Sequence, residues 1–384
     1  MSGSLAPRPQ FVFVTCQVGA EAAVKGELAR LWPAFRLAYS RPGFLTLKLP
    51  PAHLVPDDFQ LHSVFARAYG FSLGKVTGTD PEGMARQTWQ VWQDRPVDRL
   101  HVWPRDMAPP GEREFEPSIT AEAVEIARRL HQACPGPQRL AAHAADLRRP
   151  ASPGDVVLDC VLVGPDEWWV GYHRAGHVAS RWPGGMMSLE LPPDAVSRAW
   201  LKMEEALRWS ELPIRARARC AEIGSAPGGA SQALLARGVR VLGIDPAEMH
   251  PLVLAHPHFT HLRRRASQVR RREFRKVRWL TADMNVAPNY TLDVVADIVT
   301  HAEVNVRGML LTLKLFEWKL ADDLPEYLDR IRGWGFSSVE ARQLQHNRQE
   351  VTVAALKKSF ARKGTRSPAE KLSQNPSPSE RGLG

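Results

Sequence analysis

A glycine-rich turn between a short apolar strand and a helix constrains the fold of this chain more than any other segment. Residues 221–230 read Ala-Glu-Ile-Gly-Ser-Ala-Pro-Gly-Gly-Ala, and a helix-like segment, 231–237, follows at once. A second apolar segment, 241–245, ends in an acid. A strand, a glycine turn, a helix and a second strand with a terminal acid build a nucleotide-shaped pocket in an open α/β sheet. The spacing G-x-x-x-G-G differs from the G-x-G-x-x-G of dinucleotide sites, which disfavours a nicotinamide-dependent oxidoreductase.

The turn predicts a site for a nucleoside-bearing cofactor. Glycines remove side chains where a ligand would press on the backbone, and proline stiffens the approach. An acid at the end of the next strand can accept hydrogen bonds from ribose hydroxyls. The candidate cofactor-binding residues are Gly224, Ala226, Pro227, Gly228, Gly229, Asp245 and Asp283.

The hydrophobic pattern divides the chain into an α+β part and an α/β part. In the first part the pattern predicts strands at 11–15, 44–49, 99–103, 155–163 and 168–172, and helices at 19–31, 59–69, 82–92 and 120–134. From residue 197 it predicts a parallel sheet with strands at 220–223, 240–244, 277–281, 292–298, 309–315, 337–341 and 350–355, and a clear helix at 324–334. We predict a ferredoxin-like module at 1–52, a second α+β region at 53–180, a linker at 181–196, a Rossmann-like domain at 197–360 and a disordered tail at 361–384.

Composition favours an anionic partner. Lys and Arg number 51 against 41 Asp and Glu, a net charge of +10, which is typical of nucleic-acid-binding chains. The four cysteines lie far apart without a C-x-x-C pair, and no window holds the ~18 apolar residues of a membrane span. We therefore expect a reduced, cytoplasmic monomer without a zinc site, and the spacing of His250, His256, His258 and His261 does not predict a metal site either.

The glycine turn resembles motif I of the FtsJ-like, S-adenosylmethionine-dependent ribose 2′-O-methyltransferases, which reads D-L-G-x-x-P-G-G. The segments S-R-A-W-L-K-M-E-E, A-D-M, L-K-L and R-Q-E-V-T-V follow the same order as in the RlmM-type methyltransferases of 23S ribosomal RNA. The resemblance covers about residues 190–358. It departs from the family at Glu222, where Asp is usual, and near Ala266, where the family has an acid beside the adenine.

The resemblance implies S-adenosyl-L-methionine as cofactor, large-subunit ribosomal RNA as partner and a THUMP-like RNA-binding region at 53–180. It also implies a Lys-Asp-Lys-Glu catalytic tetrad, formed by Lys202, Asp283, Lys314 and Glu350. A ribose hydroxyl is a poor nucleophile at neutral pH and needs a base. We predict that Lys314 is this base, with a pKa lowered by burial and by the neighbouring cation Lys202, and that both carboxylates orient the lysines.

A basic run lies between the second and third predicted strands of the α/β part and reaches into the third. We expect it to adjoin the site and to contact RNA phosphates. The run comprises Arg263, Arg264, Arg265, Arg270, Arg271, Arg272, Arg275, Lys276 and Arg278. Two alternatives stay open: a non-catalytic RNA-binding or ribosome-assembly protein on a decayed methyltransferase fold, and a methyltransferase that acts on transfer RNA.

Overall fold

The computed structural model describes residues 9–51, 55–93, 95–136 and 140–358. The predicted disordered tail lies outside these residues. Within them the chain forms two seven-stranded sheets, which confirms the α/β class.

The first sheet is mostly antiparallel and has the strand order β2-β3-β1-β4-β7-β6-β5, with β5 and β6 parallel. Its strands are β1 (Phe11–Cys16), β2 (Arg36–Arg41), β3 (Phe44–Lys48), β4 (Ala66–Thr77), β5 (Arg99–Pro104), β6 (Val156–Gly164) and β7 (Glu167–Arg174). Its helices are α1 (Glu21–Leu31), α2 (Pro81–Trp92) and α3 (Ala121–Gln132). Helices α2 and α3 begin at the side-chain caps Asp80 and Thr120 and pack their apolar faces on one side of β6.

The second sheet has the strand order β10-β9-β8-β11-β12-β14-β13, and its pairs are parallel from β10 to β12. Its strands are β8 (Arg219–Ile223), β9 (Arg240–Ile244), β10 (Phe259–Leu262), β11 (Trp279–Asp283), β12 (Gly308–Lys314), β13 (Ser338–Arg342) and β14 (Glu350–Leu356). Its helices are α4 (Ala199–Ser210), α5 (Gly229–Ala236), α6 (Pro251–Leu254), α7 (Pro288–Val299) and α8 (Leu324–Gly333). Parallel strands place their carboxyl ends along one edge, where a site in such a sheet lies.

A buried interface joins the two sheets. The backbone N–H of Gln343 donates to the carbonyl of Val64 at 2.8 Å, and the Gln345 side chain donates to the carbonyl of Pro117 at 2.6 Å. Phe65 meets Trp318 edge-on, with ring centroids 6.1 Å apart. The segment between β13 and β14 is thereby fixed against the first part of the chain.

Two predicted elements are wrong. Residues 292–298, predicted as a strand, belong to α7, because Pro288 at its first turn and buried side chains at Leu292, Val295 and Val299 follow the helical period. The apolar residues between 292 and 298 fit both the two-residue period of a strand and the 3.6-residue period of a helix, so the sequence pattern alone did not distinguish them.

The helix predicted at 59–69 is also absent, since β4 begins at Ala66. That strand lies between β1 and β7, and pairing on both sides outweighs local propensity. Gly70 allows β7 to approach this strand closely, because a Cβ there would lie 2.5 Å from the carbonyl of Tyr172 on β7. Strands β2 and β10 were not predicted.

Candidate active site

Four side chains converge at the carboxyl edge of the second sheet. Asp283 ends β11, and Lys314 ends the neighbouring β12. Glu350 begins the antiparallel β14 directly opposite Lys314, and Lys202 reaches in from α4. The fold therefore brings together the four residues predicted from the sequence, which we call the lysine–carboxylate cluster.

Each lysine of the cluster contacts both carboxylates. The Lys202 Nζ lies 2.9 Å from the Asp283 Oδ2 and 2.5 Å from the Glu350 Oε1. The Lys314 Nζ lies 2.7 Å from the Asp283 Oδ1 and also contacts the Glu350 Oε2. The two positive and two negative charges cancel, so the cluster as a whole is neutral.

The electrostatics correct one expectation about Lys314. Burial lowers the pKa of its ammonium, but the charges and hydrogen bonds of Asp283 and Glu350 more than offset this, so the pKa is raised above its usual value. Burial likewise raises the pKa of Asp283, and the two lysines reverse this and hold it below its usual range. The sequence predicted both carboxylates beside the lysines, but not that their effect on the pKa of Lys314 would outweigh burial and the neighbouring cation. Lys314 is therefore a cation in this arrangement.

Three members of the cluster are partly exposed, and the fourth is buried. Side-chain exposure is 16% for Lys314, 21% for Lys202 and 26% for Asp283, against 6% for Glu350. A substrate can thus approach the two ammonium groups and Asp283, while Glu350 holds them from beneath.

Two buried side chains that sequence reasoning missed hold Glu350 in place. Asn347, which is 1% exposed, donates from its Nδ2 to the Glu350 Oε1 at 3.3 Å. Its own Oδ1 accepts from the backbone N–H of Leu344 at 2.8 Å and from the Thr352 hydroxyl at 3.1 Å. The H-N-R-x-E spacing in the sequence is the signal that could have revealed this amide.

Glu205, one turn of α4 beyond Lys202, is the second missed residue. Its carboxylate accepts from the backbone N–H groups of Gln345 at 2.8 Å and His346 at 3.1 Å. Burial raises the pKa of Glu205 to about 7. The helix that carries Lys202 is thereby tied to the loop that leads to Glu350.

The glycine turn lies beside the cluster at the end of β8. Gly224 has a φ of 78°, and a Cβ there would lie 2.4 Å from the carbonyl of Asp283. A Cβ on Gly229 would lie 2.2 Å from the Ser197 hydroxyl, and one on Gly228 2.7 Å from Val253. The glycines therefore allow close packing against the chain itself, in addition to any contact with a ligand. The peptide bond between Ala226 and Pro227 is cis.

Asp245 fixes the turn from β9. Its Oδ2 accepts from the backbone N–H of Ala226 at 3.1 Å, and its Oδ1 accepts from that of Ala247 at 2.8 Å. A carboxylate has about four acceptor positions, so two remain for the hydroxyls of a ligand. The first N–H groups of α5 have no side-chain cap, which leaves donors for a polar group at the same place. These groups fit the ribose and the charged end of a nucleoside cofactor.

The basic run is only partly beside the site. Arg263, Arg264 and Arg265 follow β10 at the carboxyl edge, whereas Arg275 and Arg278 precede β11 at the opposite edge. Several members form ion pairs within the chain: Arg263 with Glu248, Arg271 with Asp297, Arg272 with Glu273, and Arg275 with Glu303. The run therefore crosses the molecule instead of forming one surface at the site.

One cluster in the described part of the chain has metal-ligating side chains, His101, Asp159 and His173 on β5, β6 and β7. The His173 Nδ1 lies 2.7 Å from Asp159, and its Nε2 lies 2.7 Å from the carbonyl of Ser180. Burial lowers the pKa of His173, but Asp159 reverses this and raises it, while burial raises the pKa of Asp159. Asp159 and Ser180 thus hold the two ring nitrogens in place. The histidines at 250–261 do not converge. Instead, His250 caps α6 and His261 contacts the Asp245 carbonyl.

Comparisons with known proteins find similarity for the part of the chain that forms the second sheet. Residues 195–373 match the FtsJ-like methyltransferases. The chain is 33% identical over 183 residues to ribosomal RNA large subunit methyltransferase M of Laribacter hongkongensis, covering 45% of this chain and 51% of that protein. It is 34% identical over 204 residues to the protein of that name from Xylella fastidiosa strain 9a5c, covering 51% and 56%. The chain thus spans about half the length of the curated relatives it matches.

Among solved structures, TrmN from Thermus thermophilus covers 90% of this chain and 99% of its own, at 14% identity and a TM-score of 0.35. None of the helices in the described ranges has the length and apolar character that crossing a membrane requires.

Proposed function

We propose that this chain, whose residues 195–373 belong to the FtsJ-like methyltransferases, transfers a methyl group from S-adenosylmethionine to a ribose 2′-hydroxyl of large-subunit (23S) ribosomal RNA. The observation that carries the proposal is the lysine–carboxylate cluster beside the glycine turn. The relatives named ribosomal RNA large subunit methyltransferase M support the choice of substrate.

The residues that would hold the cofactor are those of the glycine turn together with Asp245 and Asp283. The free acceptor positions of Asp245 suit the ribose hydroxyls, and the first N–H groups of α5 suit the cofactor's carboxylate. When bound, S-adenosylmethionine supplies an electrophilic methyl group on a sulfonium.

In this proposal Lys314 removes the 2′-hydroxyl proton. Removal of this proton would make the ribose oxygen a nucleophile for the methyl group that a bound S-adenosylmethionine would supply. Because its pKa is raised, Lys314 must first lose its own proton, so the rate should rise with pH between pH 7 and about 9. Lys202 keeps Asp283 and Glu350 paired when Lys314 is neutral, and the two carboxylates fix its position.

The first sheet would capture the RNA. Strands β1, β2 and β3, with α1 after β1, support a ferredoxin-like module at 1–52. Strands β4 to β7 with α2 and α3 would form the THUMP-like region at 53–180. A linker at 181–196 would lead to the methyltransferase domain at 197–360. We propose that the protein works as a cytoplasmic monomer.

The test is methyl transfer by Lys314→Ala with purified protein, radiolabelled S-adenosylmethionine and 23S ribosomal RNA that lacks its modifications. We expect a loss of about 100- to 10,000-fold in rate, with cofactor binding by calorimetry unchanged. Lys319→Ala is the matched control, since Lys319 is exposed and lies outside the cluster. Near-normal turnover in Lys314→Ala would contradict the assignment.

Mapping of ribose methylation in the product identifies the target. Methylation of transfer RNA in place of ribosomal RNA would support the alternative that the protein is a transfer RNA methyltransferase. Ala266 favours a further candidate, a non-catalytic RNA-binding protein, because its side chain is buried and offers no acid to an adenine. RNA binding without cofactor binding or turnover in the wild-type protein would support that candidate.

A further inference from the structure

Cations that the proposed active site does not use line the opposite, amino edge of the second sheet. Arg240 and Arg219 are directly paired on β9 and β8. The backbone N–H of Arg278 donates to the carbonyl of Arg219, that of Arg307 to Arg278, and that of Lys357 to Arg307, at 3.0, 2.7 and 2.9 Å. Five neighbouring strands thus each carry one cation at the same level. We call these residues the amino-edge row: Arg240, Arg219, Arg278, Arg307 and Lys357.

Acids are scarce along this edge. The segments that form it are 211–219, 237–240, 255–258, 275–279, 300–308, 334–337 and 356–358. They contain two acids, Glu211 and Glu303, and Glu303 pairs with Arg275. Within the described ranges, no carboxylate forms an ion pair with Arg219, Arg240 or Arg278, and the Arg278 guanidinium donates only to the carbonyls of Arg275 and Val277.

The edge is accessible. Arg219 and Arg240 are exposed, as is Arg215 just before β8. A groove of about 420 Å³ lies at this edge. It is lined by Pro213, Arg215, Ala218, Arg278, Trp279 and Arg307.

Such a row opposes folding. Like charges directly opposite each other on neighbouring strands destabilise a sheet, and Arg219 faces Arg240 in this way. A polyanion would offset this repulsion, because each cation could neutralise one phosphate and release a counterion.

We propose that the amino-edge row binds the phosphate backbone of RNA, as a contact surface separate from the active-site edge. Strands are about 4.8 Å apart, so five cations span about 19 Å, which suits a chain of phosphates better than a single small anion. The row offers charge without a set of base-reading amides, so it positions RNA and does not select a sequence. This inference rests on the proposed function only in taking RNA as the partner.

The experiment compares binding of a fluorescent 23S ribosomal RNA transcript by the wild-type protein and by Arg219→Gln/Arg240→Gln over a salt series. We expect the double variant to bind about tenfold more weakly at low salt, with a slope of log K against log salt smaller by about two. Arg219→Lys/Arg240→Lys, which keeps the charge, should stay within about twofold of wild type.

The second control, Arg330→Gln/Arg332→Gln, removes the same charge from α8 of the second sheet, where Arg330 pairs with Asp293 and Arg332 with Asp329. An equal loss in this control, or no loss in the edge variant, would overturn the proposal. So would preferential binding of an acidic polypeptide over the RNA. Methyl transfer is measured separately. If the edge variant binds RNA more weakly but the wild-type protein transfers no methyl group, the proposed function is refuted and the proposal for the amino-edge row stands. If the wild-type protein methylates the RNA and the edge variant binds it as tightly as the wild type, only the proposal for the row is refuted.

Discussion

The two edges of the second sheet use charge in opposite ways. At the carboxyl edge each lysine of the lysine–carboxylate cluster contacts two carboxylates, and every charge of the cluster has its partners within it. At the amino edge five cations follow one another on neighbouring strands, with two acids in the segments around them. Mutual neutralisation fixes side chains in one geometry, as a reaction requires. Arg219 and Arg240, which pair with no carboxylate among the described residues, are instead available to a polyanion. The difference between the edges can be tested by breaking each arrangement in turn.

The largest expected effect comes from opening the carboxyl-edge cluster with Asp283→Asn. Both lysines lose a charged partner, so methyl transfer should fall by about 100-fold or more in kcat. Since the Asp283 charge raises the pKa of Lys314, its removal should lower that pKa and move the rising limb of the pH–rate profile to lower pH.

The control for this variant is Asp293→Asn, an exposed acid on α7 that pairs with Arg330. It should leave both the rate and the pH profile unchanged. If the pH profile of Asp283→Asn has the same midpoint as that of the wild type, whatever the absolute rate, Lys314 is not the titrating base.

A smaller loss is expected for Asn347→Ala. The Glu350 Oε1 would lose its amide donor and keep its lysine contacts, so kcat should fall by about tenfold with little change in KM. Asn305→Ala, an exposed asparagine before β12, is the control. A rise in KM with unchanged kcat would assign Asn347 to substrate binding instead of the positioning of Glu350.

These predictions depend on features that the sequence revealed unequally. The tetrad was recognisable because strand ends and motif order place Asp283, Lys314 and Glu350 at one edge. Their partners were not, because Asn347 and Glu205 act through loop backbone that only the contact between the two sheets fixes. Nor did the linear order show that Arg219 and Arg278, far apart in sequence, would be neighbours.

A moderate effect on stability is expected at Glu222, beneath the glycine turn. Glu222 is 2% exposed and accepts a hydrogen bond from the Ser231 hydroxyl. Burial raises its pKa to about 8 from an ordinary value of 4.5. The folded state therefore binds this proton more tightly, and the resulting stability, complete below pH 4.5, is lost as the pH rises to about 8.

Glu222→Gln cannot ionise, so its thermal midpoint should exceed that of the wild type by a few degrees more at about pH 8.5 than at pH 5. Scanning calorimetry at both pH values measures this difference. Any effect of the substitution on hydrogen bonding that is equal at the two pH values cancels in the comparison. Gln in place of the exposed Glu211 should show no such pH dependence. A constant difference between wild type and Glu222→Gln across this range would mean that Glu222 is ionised in the folded protein.

The smallest expected effect lies at the amino edge, and its sign is the informative part. Arg219→Gln/Arg240→Gln removes one cross-strand repulsion between exposed side chains, so the thermal midpoint should stay the same or rise by about 1–2 °C. Loss of a neutralising partner at the carboxyl edge should lower it, because Asp283→Asn leaves the two lysines with one shared carboxylate, Glu350, instead of two. A fall in midpoint for the Arg219 and Arg240 variant would show that these arginines stabilise the fold. Unchanged or higher stability together with weaker RNA binding would show that the protein keeps a repulsive row because a polyanion neutralises it.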